Sequence, residues 1–167
     1  ARLNGSPFIV DAGDTLSVFR RENAGKAFTT GFAIDIEVSV AANLALMTNL
    51  SYTYGQNTSD DKPLTGVPPF AGLIGIRWRK HHSWAEFNAR FAAEQSRLAL
   101  EDKEDLRIPE GGTPGWYTLN FRFGADLSPA LDFRISIDNI LDRNYREHLS
   151  GFNAPGRNFV FSVRLKQ

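Results

Sequence analysis

The sequence of 167 residues contains no cysteine, which excludes a disulfide framework and metal sites built from thiolates. It also lacks any apolar run long enough for a membrane-spanning helix, and its mean hydropathy is −0.30. Lys and Arg number 19, as do Asp and Glu, so the formal net charge is zero. This balance gives no electrostatic argument for binding nucleic acid. Three histidines and the lack of a G-x-S-x-G motif give no basis for predicting an enzyme.

What the sequence does contain is a strict alternation of apolar and polar residues. Residues 32–40 read F-A-I-D-I-E-V-S-V, which places apolar side chains on one face of a β-strand and acidic or small ones on the other. A strand crosses a bilayer at a tilt with about 9–11 residues. The pattern predicts about seven strands of suitable length: 16–40, 43–55, 70–80, 84–95, 116–127, 131–137 and 158–167.

The two faces of these predicted strands differ in charge. Phe87 and Phe91 share one face of their strand, whereas Glu86 and Arg90 share the other. Arg or Lys facing lipid at mid-bilayer costs about 2–4 kcal/mol, so a membrane demands this segregation. Strands of soluble sandwiches are typically about 5–6 residues long. We therefore expect an all-β fold, an antiparallel up-and-down transmembrane β-barrel, with a secreted soluble β-sandwich as the alternative.

The connections between the strands alternate in length. Short turns are predicted at 41–42, 80–83 and 128–130, and long polar connections at 56–69, 96–115 and 142–157. Outer-membrane barrels have short periplasmic turns and long extracellular loops, which makes residues 1–15 the tail of an extracellular loop. About seven strands are odd in number, whereas single-chain bacterial barrels have an even number of at least about 8. We expect a mature or truncated piece of a larger barrel.

Two motifs near the end of the sequence are more specific. Residues 138–145 read D-N-I-L-D-R-N-Y, and residues 154–159 read A-P-G-R-N-F. Their order and spacing resemble the final strands of TonB-dependent outer-membrane receptors, and E-N-A-G-K-A at 22–27 is a partial match to another strand of that family. Gln167 stands where the family usually has Phe or Trp. The resemblance implies structural roles for the motif residues Asn139, Asp142, Tyr145, Gly151, Gly156, Arg157 and Phe159.

The resemblance also implies a function. Receptors of this family form barrels of about 22 strands closed by an N-terminal plug domain. Residues 1–167 would be the C-terminal portion of such a barrel, without the plug and the first strands. The implied location is the outer membrane of a Gram-negative bacterium. The implied partners are outer-membrane lipid, the TonB complex acting through the absent plug, and an extracellular substrate such as an iron siderophore or another metal complex. No cofactor is implied, and a passive porin is the alternative transporter.

Two groups of polar residues are candidates for function. Six charges are predicted to face the lumen, where they either guide an anionic substrate or, as we expect, pair with one another or with the plug: Arg77, Arg79, Glu86, Arg90, Arg122 and Arg134. The last long connection contains four candidate ligands for a substrate or metal: Asp142, Tyr145, Glu147 and His148. The charged run 101–105, E-D-K-E-D, is expected to be a solvated loop tip.

Overall fold

The computed structural model describes residues 25–165 with their side chains, and the backbone of residues 2–3, 6–11 and 14–17. The first described segments form a three-stranded antiparallel sheet of β1 (Arg2–Leu3), β2 (Ser6–Asp11) and β3 (Asp14–Ser17). The elements that follow are β4 (Ala27–Ala41), β5 (Leu44–Asn57), β6 (Lys62–Pro63), β7 (Ala71–Lys80), β8 (Ser83–Ala92), α1 (Leu100–Lys103), β9 (Trp116–Ser128), β10 (Leu131–Asp138) and β11 (Asn158–Leu165).

The strands from β4 onwards form one antiparallel sheet. Each long strand pairs with the next in sequence, in the order β11-β10-β9-β8-β7-β5-β4, and the short β6 pairs with β5. The expected all-β, up-and-down arrangement and its seven long strands are therefore confirmed. The first strand was predicted from residue 16, but it begins at Ala27, whereas β3 pairs with β2 in the other sheet. Residues 18–24 and 166–167 lie outside the described residues, and with them half of the 22–27 motif and Gln167.

The register of the strands confirms the predicted division into two faces. Ile76 on β7 lies opposite Phe87 on β8, which lies opposite Phe121 on β9, which lies opposite Ile137 on β10. We call this apolar side the outer face. Because side chains alternate along each strand, the intervening residues lie on the opposite side, which we call the inner face. Large apolar side chains are exposed on the outer face of several strands: Phe32, Ile36, Val38, Leu46, Ile74, Phe87, Tyr117, Phe159, Phe161 and Val163.

The two ends of this sheet differ. One end carries the short turns at 42–43, 81–82 and 129–130, and the other carries the long connections 58–70, 93–115 and 139–157. The predicted alternation of connection lengths is confirmed. The buried apolar residues of the described chain lie mainly in these connections rather than between strands: Val67, Ala92, Leu98, Ala99 and Ile108. No helix in the described part of the chain is long and apolar enough to cross a membrane.

Candidate functional site

A continuous series of polar contacts crosses the inner face. Arg77 Nη1 contacts Glu37 Oε2 of β4 at 2.9 Å, and Arg77 Nη2 contacts Glu86 Oε2 of β8 at the same distance. Asn88 Nδ2 donates to Glu86 Oε1 at 2.9 Å, and Asn120 Nδ2 donates to Asn88 Oδ1 at 2.9 Å. Glu86, Asn88 and Asn120 are buried, and each has a hydrogen-bond partner, as buried polar groups require. The side chains of the inner face therefore form a fixed network.

Asn139 connects this network to the last long connection. Its backbone N–H donates to Asn120 Oδ1 at 2.9 Å, and its Nδ2 donates to the carbonyl oxygens of Arg143 and Pro155. Its Oδ1 accepts the N–H of Arg143 at 3.0 Å. The backbone φ of Asn139 is 52°, in the left-handed region that asparagine tolerates better than most residues. One buried side chain thus orients both ends of the connection 139–157.

Asp142 and Gly156 close the base of the same connection. Asp142 Oδ1 accepts the N–H of Arg157 at 2.7 Å, and a Cβ at Gly156 would lie 2.6 Å from that carboxylate oxygen. A side chain at position 156 would therefore displace the Asp142 carboxylate. Tyr145 packs on Trp116 with ring centroids 4.3 Å apart, and its carbonyl accepts the N–H of Ala154 at 2.8 Å. Asp142 and Gly156 thus fix the backbone at the base of the connection, and the ring of Tyr145 packs it against β9.

A cleft of about 470 Å³ lies beside this connection. Two of its lining residues form an ion pair, with Arg90 Nη2 at 3.2 Å from Glu147 Oε1, and the Arg90 guanidinium lies 5.6 Å from the centre of the Trp116 ring. Both charged side chains are about half exposed, so the pair adds little to stability and can exchange partners. The cleft combines a cation, a carboxylate, an imidazole and an indole with smaller polar groups: Asn49, Ser51, Arg90, Trp116, Glu147 and His148.

His148 is held at this cleft by Thr113. Its Nδ1 lies 2.8 Å from Thr113 Oγ1, and its Nε2 is buried without a hydrogen-bond partner among the described residues. Burial lowers the pKa of His148 below its usual value, although the carboxylates of Asp102 and Asp105 act in the opposite direction. A neutral imidazole is therefore favoured near pH 7, and such a ring can accept a proton or a metal at one nitrogen.

One residue of the charged run 101–105 departs from the solvated tip that the sequence predicted: Glu101, Lys103 and Glu104 are exposed, but Asp102 is buried. Asp102 is 3% exposed and accepts hydrogen bonds from Thr65 Oγ1 at 2.6 Å, from the N–H of Gly66 at 3.0 Å and from the N–H of Ala99 at 3.0 Å. Burial raises the pKa of Asp102, but these hydrogen bonds lower it by more, so that it lies below its usual value. The local charge pattern could not reveal this anchor, because two of its donors lie in another connection.

Asp105, three residues further on, is partly buried and pairs with Arg107. Arg107 Nη2 contacts Asp105 Oδ2 at 2.6 Å, and hydrogen bonds from Arg107 lower the pKa of this carboxyl to about 2. Arg97 joins the same group of connections to β5, since it donates to the carbonyl of Gly55 at 2.8 Å and lies 4.2 Å from the centre of the Tyr54 ring. The long connections are therefore tied to one another and to the sheet.

The charges predicted to face the lumen all lie on the inner face. Beyond the pairs of Arg77 and Arg90, Arg122 contacts Asp138 at 3.7 Å and Arg134 contacts Asp132 at 3.5 Å. Within the described residues, Arg79 forms no ion pair. Most of the six charges thus have partners inside the chain itself.

The four loop candidates do not converge on one point. Glu147 and His148 line the cleft, Tyr145 packs behind it on Trp116, and Asp142 faces the start of β11. Across the described residues, no group of three or more His, Cys, Asp or Glu side chains could hold a metal ion.

Solved structures with similar folds are receptors and transporters. The chain matches the Copper transporter OprC with a TM-score of 0.74 at 23% identity, over 83% of this chain and 23% of that one. It matches the closed form of the Ferric-Catecholate import receptor Fiu from K12 E. coli with a TM-score of 0.63 at 15% identity, over 96% of this chain and 23% of that one. For the ferric yersiniabactin uptake receptor FyuA from Yersinia pestis the TM-score is 0.61 at 16% identity, over 86% and 24%. The chain therefore spans about a quarter of each of these proteins.

These likenesses show the fold, and a sequence comparison shows the family. No curated protein matches the chain. A family model described as TonB dependent receptor-like, beta-barrel, matches residues 3–140, which is most of the sequence. The chain therefore belongs to the TonB-dependent receptor family and forms part of its β-barrel.

Proposed function

We propose that the chain is part of the barrel wall of a receptor that takes up a scarce substrate across the outer membrane of a Gram-negative bacterium, with energy delivered by TonB. The observation that carries this proposal is the segregation of charge in a sheet that matches the family's barrel. The outer face carries exposed apolar side chains such as Phe87 and Phe161, whereas ion pairs such as Arg77–Glu86 lie on the inner face. This is the distribution that lipid on one side and a polar lumen on the other require.

We further propose that residues 1–167 are the C-terminal portion of a larger barrel, with a plug domain and the first strands preceding them. The chain covers 23% of the length of the Copper transporter OprC, which leaves room for these parts. Within the described sheet, β4 and β11 each pair with one neighbour, and an unpaired strand edge in lipid costs several kcal/mol per exposed backbone group. Further strands would satisfy both edges. Arg79, which has no ion pair among the described residues, is then a candidate contact for the plug.

The cleft at Arg90 is the proposed contact for the substrate. It lies on the inner face at the end with the long connections, where a substrate arriving from outside would enter. Its guanidinium, imidazole and indole suit an anionic metal chelate with aromatic groups. The similar structures are those of a copper transporter, a ferric-catecholate import receptor and a ferric yersiniabactin uptake receptor, which supports a metal or its chelate as the substrate.

Uptake measured with the complete receptor tests this function. Cells that express the receptor, with or without TonB, are supplied with radiolabelled ferric catecholate, ferric yersiniabactin or copper. We expect uptake of one of these substrates, and we expect it to fall to background without TonB. Uptake that persists without TonB would instead indicate a passive porin. If the receptor did not fractionate with outer membranes, the proposed location would be contradicted.

A pair of variants tests the cleft separately. Arg90→Ala removes a cation from the cleft and breaks an exposed ion pair and the contact with the Trp116 ring, neither of which belongs to the strand pairing, so the barrel should still assemble. We expect it to weaken substrate binding about tenfold, the loss of roughly one charge-assisted hydrogen bond. Arg107→Ala, which removes an exposed arginine paired with Asp105, should leave binding unchanged. Equal binding by both variants and the wild type would remove the cleft from the substrate path.

A further inference from the structure

Arg143 places a positive charge on the outer face rather than the inner one. Its guanidinium carbon lies 4.1 Å from the centre of the Tyr117 ring, and its Nη2 donates to Tyr117 Oη at 2.5 Å. Tyr117 lies opposite Phe91 on β8, and Phe91 contacts Phe70 with ring centroids 5.7 Å apart. These aromatic residues mark the outer face at the end of the sheet that carries the long connections. Arg143 therefore lies at the edge of the outer face, at the end of the sheet that carries the long connections.

Arg157 brings a second positive charge to the same boundary. It directly precedes β11 and is two residues from Phe159, whose side chain is exposed on the outer face. Its Nε donates to the carbonyl of Ile140 at 2.9 Å. Ile140 belongs to the turn 139–143 that also contains Arg143. Arg143 thus belongs to this turn, and the guanidinium of Arg157 is hydrogen-bonded to it. We call Arg143 and Arg157 the rim arginines.

The rim arginines differ from most arginines of the inner face in having no carboxylate partner. Arg77, Arg90 and Arg122 each contact an Asp or Glu. Within residues 25–165, neither rim arginine forms an ion pair, and both are exposed. Asp142 lies in the same turn, but its Oδ1 accepts the backbone N–H of Arg157. Several guanidinium N–H donors of the two side chains therefore remain available to an external anion.

We propose that the rim arginines bind the phosphate of a lipid headgroup in the outer leaflet. This proposal rests on the proposed function, because it requires lipid against the outer face. A guanidinium presents a planar set of donors that matches phosphate oxygens. The guanidinium of Arg143 is held in place by its hydrogen bond to the phenol oxygen of Tyr117. Aromatic residues occupy the headgroup level of membrane proteins, which is where a lipid phosphate lies. Below the rim arginines, exposed Phe159 and Phe161 offer an apolar surface to the acyl chains of the same lipid.

Binding of lipid A to the complete receptor tests the proposal. The receptor is purified in non-ionic detergent and titrated with lipid A that carries two phosphates, or with dephosphorylated lipid A, and bound lipid is counted by native mass spectrometry. The double variant R143Q/R157Q removes both charges and the hydrogen bond from Arg157 to the Ile140 carbonyl, and keeps the hydrogen bonds that the backbone N–H groups of residues 143 and 157 donate. Arg146→Gln is the matched control, because Arg146 belongs to the same connection but donates to Asn153.

We expect the phosphorylated lipid to bind the wild type and the R146Q variant equally, and R143Q/R157Q about tenfold more weakly. Dephosphorylated lipid should bind all three proteins with this weaker affinity. The variant R143K/R157K keeps the charges but loses the planar donors, and it should fall between the two. Heat-modifiable migration in gels will show that each variant is a folded barrel.

Three results would overturn the proposal. The first is equal binding of phosphorylated lipid by the wild type and R143Q/R157Q. The second is an equal loss in the R146Q control, which would indicate general surface charge. The third is displacement of the lipid by millimolar inorganic phosphate alone, which would indicate a free anion site. Substrate uptake is measured in parallel on the same variants, so that a failed lipid site and a failed receptor function give different results.

Discussion

Replacing Asp102 with alanine should release the connection 58–70 from the rest of the long connections. The carboxylate of Asp102 accepts three hydrogen bonds and is 3% exposed, so water cannot replace it without local opening. The variant leaves the N–H groups of Gly66 and Ala99 without their acceptor. Hydrogen bonds to a charged group contribute about 1.5–3 kcal/mol each, and such values are not fully additive. We expect local stability to fall by about 3–4 kcal/mol, or roughly 10²–10³-fold in the opening equilibrium.

Hydrogen exchange of the purified receptor measures this change directly. Peptides that contain Gly66 and Ala99 should exchange faster in Asp102→Ala by up to the same factor, whereas peptides of β8 and β9 should not change. Asp105→Ala is the matched control, because its carboxylate contacts Arg107 of the same connection and makes no hydrogen bond to the connection 58–70. Unchanged protection of Gly66 in the Asp102→Ala variant would refute the anchoring role.

The same carboxylate predicts the pH dependence of this protection. Its folded pKa lies below the usual value of 3.8, because hydrogen bonds from Thr65, Gly66 and Ala99 outweigh the effect of burial. A lowered folded pKa means that the stabilisation is complete above the unfolded pKa and is lost as pH falls through the folded pKa. Protection of the Gly66 peptide should therefore be constant from pH 7 to about 5 and decrease below about pH 4. The Asp102→Ala variant should not show this decrease.

Two substitutions within the strands probe the sheet. Gly31→Ala should prevent normal pairing of β4 with β5, because its Cβ would lie 2.1 Å from the carbonyl oxygen of Tyr52; a normal yield of heat-modifiable barrel would contradict this. Arg77→Ala leaves the buried Glu86 carboxylate without its cation and should destabilise the barrel by about 3 kcal/mol, measured as a lower midpoint of urea unfolding. Arg79→Ala is its control, with no ion pair among the described residues to lose. A midpoint shift as large for Arg79→Ala as for Arg77→Ala would contradict the reasoning.

The strands and their two faces were predictable because a period of two is a local signal. Phe32 and Asp35 already differ in parity in the sequence, and no distant residue is needed to assign their faces. The start of the first strand was not predictable in this way. Residues 16 and 17 were assigned to that strand, but they belong to β3, which pairs with β2 instead. Periodicity identifies a segment as a strand, but it does not show which other strand that segment pairs with.

The cleft and the anchor depend on contacts between distant residues. Asp102 reaches Gly66 across 36 positions, and Arg90 reaches Glu147 across 57. Composition placed Asp102 in a charged run, and only the packing of the connections shows that it is buried. The sequence did single out Glu147 and His148, through the concentration of polar residues in one loop. It could not separate them from Asp142, whose carboxylate holds the backbone of Arg157.

The course of the last connection has a consequence for altering the protein. Trp116 and Tyr117 are adjacent in β9 and face opposite sides, and they contact Tyr145 and Arg143 respectively. Only Asn144 lies between Arg143 and Tyr145, so an insertion between these two residues would break one of the two contacts. Beyond this point, the hydrogen bond from the Ala154 N–H to the Tyr145 carbonyl closes residues 146–153 into a unit with a fixed base. This unit is where a loop of another length or sequence could be grafted to change what the protein recognises, without disturbing the strands beneath it.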